Sequence, residues 1–202
     1  MLLTKPYQRE RAVEYAQKWA LSRNPLFIDF TGIGGNCTNF VSQCLLAGSC
    51  TMNYTPDFGW YYISANDRAP AWSGVEYFYD FITEQPAFAS RNNGIGPYAR
   101  EVERSQAELG DVIQYANSAG DWYHTVLITG FDGDEILVSA QSNDALNRPL
   151  SSYNFTSNRF LHIMGVRIEI NDERCYESLL AGEVIPEMTE DRPLRTDTQA
   201  PQ

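Results

Sequence analysis

The run Gly34-Gly35-Asn36-Cys37-Thr38-Asn39-Phe40-Val41-Ser42-Gln43-Cys44-Leu45 sets a cysteine between a glycine turn and a helical pattern. Val41, Cys44 and Leu45 recur at helical spacing and Gly48 offers a C-cap, so a short amphipathic helix is expected with Cys37 at its start. At a helix N-terminus the unpaired N–H groups and the macrodipole favour thiolate over thiol, and two of those N–H groups can hold an oxyanion. That is the chemistry of a cysteine nucleophile.

An imidazole base must be His124 or His162, the two histidines of the chain. His124 heads the strand-like run Tyr123-His124-Thr125-Val126-Leu127-Ile128-Thr129. His162 lies inside the run from Phe160 to Ile170, where a partly buried histidine bonded to its neighbours is the ordinary outcome. A further strand, Glu135 to Gln141, follows the turn Asp132-Gly133-Asp134 and continues into Ser142-Asn143-Asp144, which reads as a hairpin. Alternation sets Gln141 and Asn143 on one face while the antiparallel partner brings His124 close. Either amide can accept from one imidazole nitrogen, leaving the other to take the thiol proton.

The elements that must position these groups are legible in outline. Residues 7–22 form an amphipathic helix with Ala12, Tyr15, Ala16, Trp19 and Ala20 on one face, ended by Asn24-Pro25. Ser73 with Glu76 makes a capping box for a third helix carrying Val75, Phe78, Tyr79 and Ile82, and Pro86 closes it. Between the helices lies an aromatic segment with Tyr54, Phe58, Trp60, Tyr61, Tyr62 and Trp72. Such a run lines a substrate cleft or fills a core. Strands are expected at about 111–115, 122–129, 135–141 and 160–170. Helices followed by strands indicate an α+β fold.

At this point the residues resemble a known family. The run from Gly34 to Cys44, together with Tyr123-His124-Thr125 and Ser142-Asn143-Asp144-Ala145-Leu146, is similar to the putative amidase domain of bacteria, a papain-like group related to the NlpC and CHAP cell-wall cysteine amidases. The resemblance spans roughly Pro6 to Ile170. It implies a papain-like fold, a catalytic pair of Cys37 and His124, and hydrolysis of peptide or peptidoglycan-peptide amides. Two departures accompany it: many members carry Asp where this chain has Asn36, and many carry His at the position of Gln141. Losing the negative charge beside the thiol favours thiolate. CHAP amidases place a Glu and then an Asn at like separations from their His, which puts Asn143 first and Gln141 second as the orienting residue. Asn36, Trp60, Tyr61 and Trp122 are the candidate substrate contacts. A silent papain-like module that binds peptide or glycan, and a transacylase in which an amine resolves the thioester, are the alternatives.

With 202 residues, one domain is expected over 1–170, followed by an acidic, partly disordered extension over 171–202. The formal charge of −11 disfavours nucleic acid and anionic membrane as partners. No apolar targeting run follows Met1 and no stretch approaches membrane length, so a cytoplasmic site without membrane insertion is the expectation, with release to the cell wall by another route left open. The oligomeric state is not legible. Cys37 and Cys44 are too far apart along a helix, roughly 10 Å, to form a disulfide. Cys50 and Cys175 are each free to pair with some other thiol, and whether either is disulfide-bonded is not legible in the sequence. No Cys-x-x-Cys spacing supports zinc on Cys37, Cys44, Cys50 and a histidine, and no cofactor or metal is expected.

Overall fold

The computed structural model describes residues 2–171, 173–185 and 188–189. In chain order it holds β1 (Leu3–Lys5), α1 (Arg9–Trp19), α2 (Cys37–Ser49), β2 (Tyr62–Ser64), β3 (Asp67–Arg68), α3 (Pro70–Ser73), α4 (Val75–Ile82), α5 (Pro86–Ala89), β4 (Gly96–Val102), β5 (Val112–Ala116), β6 (Trp122–Asp132), β7 (Glu135–Ala140), β8 (Ala145–Pro149), β9 (Ser157–Ile168) and α6 (Cys175–Ala181). Short 3₁₀ turns lie at Arg104–Gln106 and Leu150–Ser152. The main sheet is antiparallel in the order β1-β9-β5-β6-β7-β8, with β4 also paired to β9. The expected mixed α+β architecture is what forms.

Helix α2 is buried along all thirteen residues, rather than on the single face expected of an amphipathic helix. It lies between the sheet and the other helices, so a polar stripe has no water to meet. Each fully buried Leu or Phe on it contributes roughly 1.5–3 kcal/mol of apolar burial. On one side α1 packs with Ala12, Tyr15 and Ala16 buried, and the Tyr15 hydroxyl donates to Gln43 Oε1 at 2.8 Å. Gly48 is not the cap. It lies inside α2 where a Cβ would stand 2.3 Å from the Tyr7 ring, and the helix ends instead on Cys50 in the left-handed region.

Inside the sheet, Val112, Leu127, Leu161 and Ile163 join the core that contains α2. The other face buries a second cluster: Ile113, Tyr115, Val126, Ile128, Ile136, Val138, Leu150 and Phe160. The capping box does not form. Ser73 belongs to α3, Gly74 caps α4 without a side-chain hydrogen bond, and Pro86 opens α5 at its first turn.

Residues 173–185, expected to be part of the extension, pack on the domain. Cys175, Tyr176, Leu179 and Ile185 are buried, and a disulfide joins Cys175 to Cys50. Residues 172, 186–187 and 190–202 of the expected extension lie outside the described residues. Among the described residues no helix is long and apolar enough to cross a membrane.

Candidate active site

Cys37 is the first residue of α2, and the loop before it turns on Gly32, Gly34 and Gly35 at φ of 83°, 112° and 103°. Those values belong to the left-handed side of the map, where a Cβ is strained. The N-cap residue Asn36 does not use its side chain to cap α2. Instead its Oδ1 accepts from the Phe30 amide at 3.0 Å and from Asn39 Nδ2 at 2.7 Å, and its Nδ2 donates to Gln141 Oε1 at 2.5 Å. Its backbone N–H donates to Ser142 Oγ. Asn36 thus locks the glycine loop to the end of β7. The first-turn amides of α2 are left without a side-chain cap, free to meet an oxygen from elsewhere.

Cys37 is 6% exposed, with its Sγ 3.8 Å from Thr38 Oγ1. Thr38 Oγ1 meets Thr125 Oγ1 on β6 at 2.9 Å. Gln114 on β5, paired across from Thr125, donates to that Oγ1 at 3.2 Å and to the Val75 carbonyl at the start of α4 at 2.9 Å. Arg159 on β9, paired across from Gln114 on its other side, donates to Gln114 Oε1 at 2.8 Å. A polar row therefore crosses three strands beneath the helix starts. Every member is satisfied, as buried polar groups must be.

Since Thr125 faces α2, strand alternation turns His124 to the outer face. There it stands opposite Tyr115, ring centroids 5.7 Å apart, with Tyr153 at 6.1 Å and Tyr123 at 6.2 Å. Burial, and secondarily the charge of Arg148, lower its pKa to about 4, so the ring is neutral near pH 7. His162 donates or accepts through Nδ1 at 2.8 Å from Asp111 Oδ2. Asp111 is fully buried and also takes Arg9, the Ile163 amide and the Glu108 amide. That agrees with the structural part expected of His162. No hydrogen bond joins either imidazole to Cys37.

The two amides expected near His124 lie elsewhere. Gln141 points inward, where its Nε2 donates to the carbonyls of Trp19 and Ser22 at 2.8 and 2.7 Å while its Oε1 takes Asn36. Asn143 is exposed, because β7 stops at Ala140 and Ser142, at φ 90°, turns the chain away. Trp60 and Tyr61 are in the core, with Trp60 Nε1 donating to Ser42 Oγ at 2.9 Å and its ring against Trp72 and Phe81. Trp122 is half-buried at the head of β6, with the Arg159 guanidinium 4.0 Å from its ring centroid. The zinc set considered above is not available, since Cys50 is bonded to Cys175. Sequence reasoning missed the threonine contact and the Arg159 row, whose signals are distant in the chain and appear only once β5, β6 and β9 are paired.

A family model described as a putative amidase domain matches residues 6–164. Over 147 residues the chain is 34% identical to the uncharacterized protein YhbB of Bacillus subtilis (strain 168), covering 70% of this chain and 43% of that protein. It is 29% identical over 153 residues to the uncharacterized protein YjcM of the same organism, covering 72% of this chain and 33% of that one. The chain spans less than half the length of either relative. No solved structure matches it. The matched segment takes in Cys37 and His124 with the helices and strands that carry them, and on it this chain belongs to the putative amidase domain family.

Proposed function

We propose that the chain is a cysteine-dependent hydrolase of a peptide or peptidoglycan-peptide amide, with a papain-like site of the kind found in NlpC and CHAP amidases. The observation that carries this reading is Cys37 at the first residue of α2, behind a glycine loop and with no side chain capping the helix. In the reaction His124 takes the thiol proton and Sγ attacks the carbonyl carbon. First-turn N–H groups hydrogen-bond the oxyanion. The C–N bond breaks as the imidazolium returns that proton to the leaving amine, leaving an acyl thioester on Cys37. Water, deprotonated by His124, then splits the thioester, and the acid product and free thiol are released.

For His124 to serve, its ring must come to the inner face. The ladder has a register shift between Tyr115 and Ala116, opposite the head of β6 at Trp122 to His124. A bulge carried further along β6 reverses the facing of the residue it passes, and that movement supplies the base. Trp122 contacts the substrate in this reading, Asn36 holds the loop behind it with Trp60 and Tyr61 in the core, and Asn143 orients the imidazole once it has turned, Gln141 being held by Trp19, Ser22 and Asn36.

A second reading, a binding module without turnover, is favoured by the outward ring of His124 and by the Asn36–Gln141 amide pair at the two positions where the family resemblance expects Asp and His. Incubating the wild type, Cys37→Ala and His124→Ala with peptidoglycan fragments and a peptide library, followed by mass spectrometry, tests both. New amine and carboxylate ends from the wild type alone support hydrolysis. Fragments retained uncut by the wild type support the binding module, and products formed only with an added amine identify a transacylase.

A further inference from the structure

We propose that the outer face of the sheet holds a second site, for a small monocarboxylate, formed by Tyr115, Tyr153, His124 and Arg148. It lies apart from Cys37 and uses His124 in its outward position, the position that the ring must leave to serve as base in the amide-hydrolase reading.

Tyr115 is fully buried, yet its hydroxyl has no hydrogen-bond partner, and the buried hydroxyl of Tyr153 has only the Arg148 guanidinium beside it. Buried hydroxyls are almost always satisfied, so the orphan on Tyr115, next to a cation that reaches Tyr153, calls for an occupant. Their rings are 5.3 Å apart, and His124 lies within 6.1 Å of both. The imidazole is 8% exposed and makes no hydrogen bond to any described residue. Arg148 stands over the Tyr153 ring at 4.2 Å and donates to Ser152 Oγ and the Ser152 carbonyl. In a chain with 26 acidic residues, Arg148 has no carboxylate partner among the described residues.

The groups present decide the ligand class. Burial pushes the Tyr115 phenol far up and raises that of Tyr153 despite Arg148, so each is a donor at any ordinary pH. The imidazole can donate through one nitrogen, and Arg148 supplies one positive charge. Two hydroxyls, one ring N–H and one cation therefore belong to one cluster of packed rings, with no carboxylate among them. That set fits the two oxygens of a single negative charge, with a guanidinium beside them. A dianion would leave one charge unmatched in a desolvated place. The Tyr123 hydroxyl, which faces the same cluster, is already committed to the Asn154 carbonyl at 3.3 Å, and its half-exposed ring marks the solvent side.

The test uses the whole chain with sodium acetate as probe, sodium phosphate as the dianion comparison and sodium chloride at equal ionic strength as control. Acetate at tenfold its Kd is expected to raise the Tm by roughly 3–6 °C over chloride. It should also shift the NMR ring signals of His124 and leave those of His162 in place. Tyr115→Phe and Tyr153→Phe should fold and lose the acetate effect, and Arg148→Gln should weaken it at least tenfold. A wild type with no acetate effect and a Tyr115→Phe variant as stable or more so would overturn the proposal, showing a site that is empty or holds water. An acetate effect that survives both phenylalanine variants overturns it as well, since the anion then binds elsewhere. Phosphate matching acetate in Tm and in the His124 shift overturns the monocarboxylate assignment.

Discussion

The hydroxyls of Thr38 and Thr125 meet at 2.9 Å, one residue after Cys37 on α2 and one residue after His124 on β6. This contact joins the two segments that carry the candidate chemistry. By strand alternation it also sends His124 to the far side of the sheet, so one hydrogen bond both brings the chain segments together and keeps the two side chains apart. Thr38→Val and Thr125→Val are each expected to cost about 1–2 kcal/mol, because each leaves a buried hydroxyl short of a partner. The double variant should cost less than the two summed, read from urea unfolding of all four proteins.

Asn36 and Gln141 form a second linked pair. In Asn36→Asp a carboxylate oxygen faces Gln141 Oε1, and the glutamine cannot flip while its Nε2 holds the Trp19 and Ser22 carbonyls. The single change should cost about 1–3 kcal/mol. Adding Gln141→His supplies a donor and should recover part of that loss, giving a coupling energy of about 0.5–3 kcal/mol in a double-mutant cycle. Strict additivity would show that the two positions do not act together.

Thiol accessibility separates the four cysteines. Cys44 is fully buried with its pKa pushed up by desolvation, and Cys50 and Cys175 are joined. Brief iodoacetamide treatment of the folded, unreduced protein should therefore label Cys37 ahead of Cys44 and leave Cys50 and Cys175 unmodified. Peptide mapping that finds Cys44 labelled first would contradict the placement of α2.

His124 makes stability pH-dependent. Its folded pKa of about 4 lies below the unfolded value near 6.5, so between those pH values the unfolded chain binds more protons. Its contribution is full above about pH 6.5 and is lost as the pH falls towards 4. Comparing pH 7 with pH 4.5, His124→Gln should lose less stability than the wild type by about 2–3 kcal/mol. Equal losses would place the imidazole in water.

The Cys50–Cys175 bond closes a separation of 125 residues, tying the end of α2 to α6. Chain-entropy reasoning assigns such a link about 4–5 kcal/mol against the unfolded state. Reduction, or Cys50→Ser with Cys175→Ser, should lower the Tm by several degrees, with the linked peptides visible in a non-reducing digest. An unchanged Tm would show that α6 docks by packing alone.

Local patterns in the sequence determined a good deal. The Gly-Gly approach to Cys37, the helical period after it, the strands holding His124 and His162, and the family of the chain were all readable there, because each depends on neighbours a few residues apart. Strands β4 and β8 and the short β1 were not, since they carry little alternation of their own and are recruited by partners on β9 and β7. Which face each candidate residue meets was decided only by tertiary structure. Strand facing follows from register, and a one-residue shift such as that at the head of β6 inverts it. Hence His124 could be placed on its strand from sequence but not on its side of the sheet. Likewise Gln141 was legible as a polar residue ending a strand, while its commitment to Asn36, Trp19 and Ser22 arose only when α1, the glycine loop and β7 came together.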